Sequence, residues 1–140
     1  MAYFDSSALV KLVIEEDGSD EVAALWDGAD AVLSSRVAYA EVRAALATAR
    51  RARRLTSQQL TDGKQLWTGL WNGLRIVELS GEVATLSGDL AEHHALSGFD
   101  AIHLASAVLL SPEQLVVATW DARLHAAVDA AGLAALPDRV

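Results

Sequence analysis

The sequence contains no cysteine. That excludes disulfide scaffolds, thiolate zinc sites and cysteine nucleophiles, and it fits a cytoplasmic protein. Proline is almost as scarce: only Pro112 and Pro137 occur, and no Pro- or Ser-rich linker divides the chain. A single domain spanning residues 1–140 is therefore expected. No apolar run approaches the ~20 residues that a membrane-crossing helix needs. Asp5 and Lys11 break the N-terminal apolar stretch, where a secretory leader would otherwise be sought. Basic residues are few: eleven Lys and Arg stand against nineteen Asp and Glu, for a net charge of −8. Such a chain is a poor general binder of nucleic acid unless charge is segregated by face or carboxylates ligate metal.

What is present is apolar material, 52% of the residues, which rules out disorder. Short apolar strands alternate with amphipathic helices, so the fold class is α/β: a three-layer α/β/α domain around a roughly five-stranded parallel sheet. Strands are expected at 2–4, 31–33, 75–79, 115–118 and 133–136. Helices are expected at 6–16, 19–26, 36–53, from 57 through Trp71, 80–95, 99–110 and 121–130. Ser19, then Ser34 or Ser35, and Thr56 or Ser57 are the expected caps. Gly63, Gly69 and Gly73 weaken the fourth of these helices.

In open parallel sheets, ligands sit beyond the carboxyl ends of the strands, where the strand order reverses. Asp5 directly follows the first strand and Asp121 lies just beyond the fourth. Asp100 falls in the first turn of an apolar helix, and Glu41 lies inside another, among alanines. Each has an ordinary reading: Asp5 or Ser6 could cap a helix, Asp121 could cap the last one, Asp100 could face a helix dipole, and Glu41 could pair with Arg43. As a set they converge on one sheet edge. Four clustered anions repel one another unless a cation lies among them. Oxygen donors without cysteine or a spaced histidine pair indicate Mg²⁺ or Mn²⁺ rather than zinc. Such a site suits phosphodiester hydrolysis by a metal-activated water.

The segments FDSSALVKLVIEE, SSRVAYAEVRAAL, GFDAIHLASAVLL and VVATWDARLHAAVDAAGL, in that order, resemble the four motifs of PIN-domain ribonucleases. Small chains of this kind resemble the VapC toxins of type II toxin–antitoxin modules. The resemblance implies a Mg²⁺-dependent endoribonuclease that cuts RNA, often tRNA or rRNA, leaving 5′-phosphate and 3′-hydroxyl ends. It also implies a VapB-type antitoxin partner and a homodimer. The matched positions are Asp5, Glu41, Asp100 and Asp121 as catalytic, metal-holding carboxylates, with Ser6 and Thr119 as supporting hydroxyls. Two mild departures are Ser6 where threonine is common and Trp120 where a smaller or phenyl side chain is usual.

Four of the eleven basic residues, Arg50, Arg51, Arg53 and Arg54, end the long helix. They suit the helix C-terminus, RNA phosphates or antitoxin carboxylates. Arg36 and Arg43 flank Glu41 and could line the groove. Trp67 and Trp71 share a helix face, which suggests core packing or a partner surface before base stacking. His103 reads as a core histidine within reach of the site, and His125 as solvent-facing. Adjacent His93 and His94 cannot share a helix face. Phosphoryl-accepting domains fit less well: neither Lys11 nor Lys64 follows a strand as a receiver domain requires, and position 7 is serine where a dehalogenase-like phosphatase has aspartate.

Overall fold

A computed structural model describes residues 1–110 and 112–140. Strand β1 (Ala2–Phe4) leads to helices α1 (Ser6–Val13) and α2 (Ser19–Gly28). Then come β2 (Val32–Ser35), α3 (Ala38–Arg51), α4 (Ser57–Gly73), β3 (Arg75–Val77), α5 (Gly81–His94) and α6 (Gly98–Val108). A 3-10 turn (Pro112–Gln114), β4 (Val116–Ala118), α7 (Ala122–Ala130) and β5 (Ala134–Leu136) complete the described chain. The strands form one five-stranded sheet in the order β3-β2-β1-β4-β5, and its pairings are parallel. The expected α/β class is therefore the observed one.

Strand β1 shows why the sheet needs cover on both faces. Ala2 and Phe4 point into one apolar cluster, built with Leu9, Val22, Val42, Leu46 and Trp67 from α1–α4. Tyr3 points the other way, into a cluster with Leu104, Ala107, Leu124 and Val128 from α6 and α7. All three strand residues are fully buried, so the strand reads as a continuous apolar run rather than an alternating one. From β1 the chain steps outward through β2 to β3, whereas β4 and β5 extend the opposite side. The order reverses between β1 and β4, and a crevice opens at their carboxyl ends.

Several local expectations change. Helix α1 stops at Val13 because Ile14 turns extended. Gly18, in the left-handed region at φ 89°, precedes α2; the Ser19 hydroxyl instead accepts from the Glu16 N–H. Ser34 and Ser35 belong to β2, where the Ser34 hydroxyl donates to the Phe4 carbonyl at 2.7 Å. Helix α3 therefore starts at Ala38, with no side-chain cap. Thr56 and Gln59 form a complete capping box on α4. That helix runs unbroken through Gly63, where a Cβ would lie 3.3 Å from Leu46 and 3.4 Å from Val13. The missing side chain lets α4 approach α1 and α3 closely.

Candidate active site

Asp5 sits at the end of β1, 2% exposed, and its carboxylate is held from three sides. The Ala8 N–H donates to Oδ1 at 2.9 Å, which makes Asp5, not Ser6, the cap of α1. The Ser7 hydroxyl donates to Oδ1 at 2.7 Å, and the Thr119 hydroxyl to Oδ2 at 2.6 Å. Both hydroxyls also accept from backbone N–H groups of the loop between β4 and α7. Ser7 accepts from the Trp120 N–H at 2.8 Å, and Thr119 accepts from the Asp121 N–H at 3.2 Å. The β1 and β4 ends are thus laced together through one carboxylate. Burial pushes the Asp5 carboxyl above its ordinary value, because the charged form loses water. Nearby His103, Thr119, the Ala8 N–H and Ser7 oppose that shift in part.

Glu41 occupies the first turn of α3, not its interior, and its side chain is 21% exposed. The Ser6 hydroxyl donates to Oε2 at 3.1 Å, so Ser6 supports Glu41 rather than Asp5. His103 lies 2.8 Å from Oε1 through Nε2 and 2.8 Å from the Tyr3 hydroxyl through Nδ1. A carboxylate can only accept, so Nε2 carries a proton; in the neutral ring Nδ1 then accepts from Tyr3. Burial raises the Tyr3 phenol far above its ordinary range, so it keeps its proton for that bond. The chain Tyr3–His103–Glu41 fixes the carboxylate from inside the core. His103 is therefore both the core histidine and the neighbour of the site that its spacing allowed.

Asp121 caps α7, accepting from the Arg123 and Leu124 N–H groups at 2.9 Å each. Asp100 lies in the first turn of α6, one turn before His103, and accepts from the Ser97 hydroxyl at 2.7 Å. The fold thus gathers Asp5, Thr119 and Asp121 into one hydrogen-bonded group, and Ser6, Glu41 and His103 into another. Asp100 is tied to neither by a hydrogen bond among the described residues. Nor do three carboxylate or imidazole groups converge there tightly enough to clasp an ion on their own. The reason is local: the caps turn Asp5 and Asp121 toward helix N-termini, and Ser97 holds Asp100. The donor set still fits Mg²⁺. That ion retains several waters and takes one or two carboxylates, and a cation beside Asp5 would counter the burial that disfavours its charged form. Ser7 is not among the site residues expected from the sequence; only its place two residues after Asp5 hinted at the role.

The basic residues divide by location. Arg36 follows β2 and pairs with Glu78 after β3, through Nε at 3.0 Å to Oε2 and through Nη2 to Oε1. That hydrogen-bonded pairing lowers the Glu78 carboxyl and raises the guanidinium. Arg43 donates to the Tyr39 hydroxyl at 3.2 Å. Arg50, Arg51, Arg53 and Arg54 gather at the far end of α3. At 1.5 Å per residue, Arg50 lies ~14 Å along the helix from Glu41. The two tryptophans also part: Trp67 is fully buried and Trp71 is half-buried. His125, expected at the surface, is 7% exposed and donates from Nε2 to the Pro137 carbonyl at 2.7 Å. The C-terminal segment covers it, a contact no local pattern announces.

A family model described as the PIN domain matches residues 2–129. The chain is 52% identical over 137 residues to Ribonuclease VapC49 of Mycobacterium tuberculosis, covering 98% of this chain and 95% of that protein. Among solved structures, FitAcB from Neisseria gonorrhoeae superposes with a TM-score of 0.69 at 21% identity, covering 96% of each chain. VapC20 of Mycobacterium tuberculosis, described as a sarcin–ricin loop cleaving toxin, superposes with a TM-score of 0.67 at 16% identity, covering 91% of this chain and 95% of that one.

Proposed function

The chain belongs to the PIN-domain family, among its VapC-type ribonucleases, and from that premise we propose that it is a Mg²⁺-dependent endoribonuclease, the toxin of a type II toxin–antitoxin module acting on tRNA or rRNA. The observation that carries this reading is the buried Asp5 carboxylate at the switch point, bonded to Thr119 and Ser7 and pushed toward its neutral form unless a cation joins it.

Asp5, Asp100 and Asp121 would hold the ion, with Glu41 joining directly or through a water. When bound, Mg²⁺, or Mn²⁺ in its place, supplies charge neutralisation at the phosphate and acidifies the attacking water. The chain itself supplies position. Thr119, Ser7 and the Ala8 N–H hold Asp5 in one orientation. Ser6 and His103 do the same for Glu41, which orients the water for in-line attack. The water oxygen bonds to phosphorus as the bond from phosphorus to the 3′-oxygen breaks, leaving a 5′-phosphate and a 3′-hydroxyl. Arg36 and Arg43 flank the groove. Arg50, Arg51, Arg53 and Arg54 supply an anion-binding end to a chain of net charge −8.

A VapB-type antitoxin and a second copy of the chain are the partners under this reading, in the cytoplasm. Phe99 on α6, Leu109 just past its end and Leu79 between β3 and α5 are exposed apolar side chains available for such contacts. No helix among the described residues is long and apolar enough to cross a membrane. The test is cleavage of total RNA by the antitoxin-free protein, with Mg²⁺ and with EDTA, beside Asp5→Asn. Discrete fragments requiring both Mg²⁺ and Asp5 support the reading. Equal cleavage by Asp5→Asn refutes the site, and intact RNA with folded wild type refutes the activity.

A further inference from the structure

We propose that the cleft bordered by Arg36, Tyr39, Ala40 and Trp71 is a nucleobase pocket that receives one unpaired base of the RNA beside the scissile phosphate. The proposal rests on the ribonuclease reading and adds the residues that bind the substrate next to the cut.

Position is the first argument. Asp5, Arg36 and Glu78 follow β1, β2 and β3, three adjacent strands of one parallel sheet. They therefore share the carboxyl edge where the candidate active site lies. At ~4.8 Å between strands, β3 stands ~10 Å from β1. A nucleotide neighbouring the cut phosphate can reach across that gap.

Surface chemistry is the second. The cleft is shallow and open, offers ≈ 330 Å³, and is lined by two aromatic rings and a guanidinium. Tyr39 is 37% exposed, and its ring centroid lies 5.1 Å from that of Trp71 at 66°. The Arg36 guanidinium carbon lies 5.6 Å from the Trp71 centroid. Aromatic and guanidinium planes together form the surface on which splayed RNA bases stack. The Arg36–Glu78 pair at the rim presents N–H donors and carboxylate acceptors to the edge of a seated base. Arg43, bonded to Tyr39, adds a cation for the neighbouring phosphate.

Rigidity is the third. Fully buried Trp67 packs beneath, with centroids 5.5 Å from Trp71 and 6.2 Å from Tyr39. The rings are held before any ligand arrives, so little ordering accompanies binding. A helix of a partner protein would need a longer apolar groove than this short, charge-rimmed cleft offers.

The test pairs Trp71→Ala with a series of short single-stranded RNA substrates, each carrying one abasic position near the cleavage site. Wild type is expected to lose roughly 5- to 150-fold in kcat/KM when one particular base is removed, mostly through KM. Trp71→Ala is expected to lose as much on intact RNA and little more on that abasic RNA, because the two changes delete one contact. Trp71→Phe keeps a stacking ring and restores most of the activity, and thermal melting confirms that each variant is folded. Losses that multiply independently, or Trp71→Ala cutting every substrate like wild type, overturn the pocket. So does a Trp71→Ala protein that cleaves normally yet no longer holds its co-expressed antitoxin, which assigns the face to a protein. Wild type that neither cuts nor binds any RNA in the series removes the ribonuclease reading itself, and the pocket with it.

Discussion

Replacing Asp5 by Asn and by Ala separates its two contributions, as a hydrogen-bond hub and as a buried charge. Alanine removes both. The cap on α1 disappears, at a cost of about 1 kcal/mol. The Thr119 hydroxyl, itself fully buried, loses its 2.6 Å acceptor, which costs about 2 kcal/mol. Asparagine keeps an oxygen for the Ala8 and Ser7 donors and turns its amide toward the Thr119 oxygen. Asp5→Ala should therefore be less stable than Asp5→Asn by about 3 kcal/mol, or roughly 10 °C in Tm. The charge appears in the pH dependence. Burial raises the folded-state pKa of Asp5 above its ordinary 3.8, so over that window folded wild type holds more protons than the unfolded chain. Its stability then falls as pH rises, and Asp5→Asn escapes that loss. Melting in EDTA over a series of rising pH should show Asp5→Asn gaining on wild type once the pH passes the ordinary carboxyl value. Mg²⁺ should raise the wild-type Tm and leave both variants unmoved. Equal melting of the two variants, or wild type gaining on Asp5→Asn with pH, would refute the reasoning.

Other substitutions probe the neighbouring groups. His103→Gln frees Glu41 from its inner tether, so kcat/KM should fall about 10- to 100-fold and half-saturation should need more Mg²⁺; an unchanged Mg²⁺ titration in a folded variant would rule out the positioning role. The Trp67 indole N–H is buried and has no hydrogen-bond partner among the described residues. Trp67→Phe deletes that orphaned donor at a modest loss of volume, and should melt within a few degrees of wild type, whereas Trp67→Ala should cost about 3–5 kcal/mol. A Trp67→Phe protein as unstable as Trp67→Ala would mean that the indole nitrogen makes a contact the structure lacks.

The strands and the acidic residues at their ends were legible because both follow from local pattern. An apolar run ending in Asp marks a strand and a cap together, and Asp5 and Asp121 fill both roles. The reading failed where one serine had to be chosen over another. Ser6 and Ser7 are chemically alike, yet Ser6 turns to Glu41 and Ser7 to Asp5 and Trp120. That choice depends on which loop crosses above, and nothing local records it. The start of α2 failed similarly. Ser19 looks like a cap, but Gly18 must adopt φ 89°, and a Cβ there would lie 2.8 Å from the Trp120 indole. His125 was misplaced because its cover arrives from twelve residues downstream. The tryptophan pair was half legible: helical spacing placed Trp67 and Trp71 together, but only the arrival of Tyr39 and Arg36 from α3 and the β2 end decided which of them meets water.

Helix α3 carries its acid in the first turn and its arginines in the last. Each charge opposes the partial charge of the terminus it occupies, so the helix itself favours both placements. This rigid rod also works as a ruler. An RNA cut beside Glu41 and gripped by Arg50 must bridge ~14 Å. A dinucleotide can satisfy only one end of such a rod, while a folded loop can satisfy both. Chain length and fold of the substrate, more than base sequence alone, would then set which transcripts are cut.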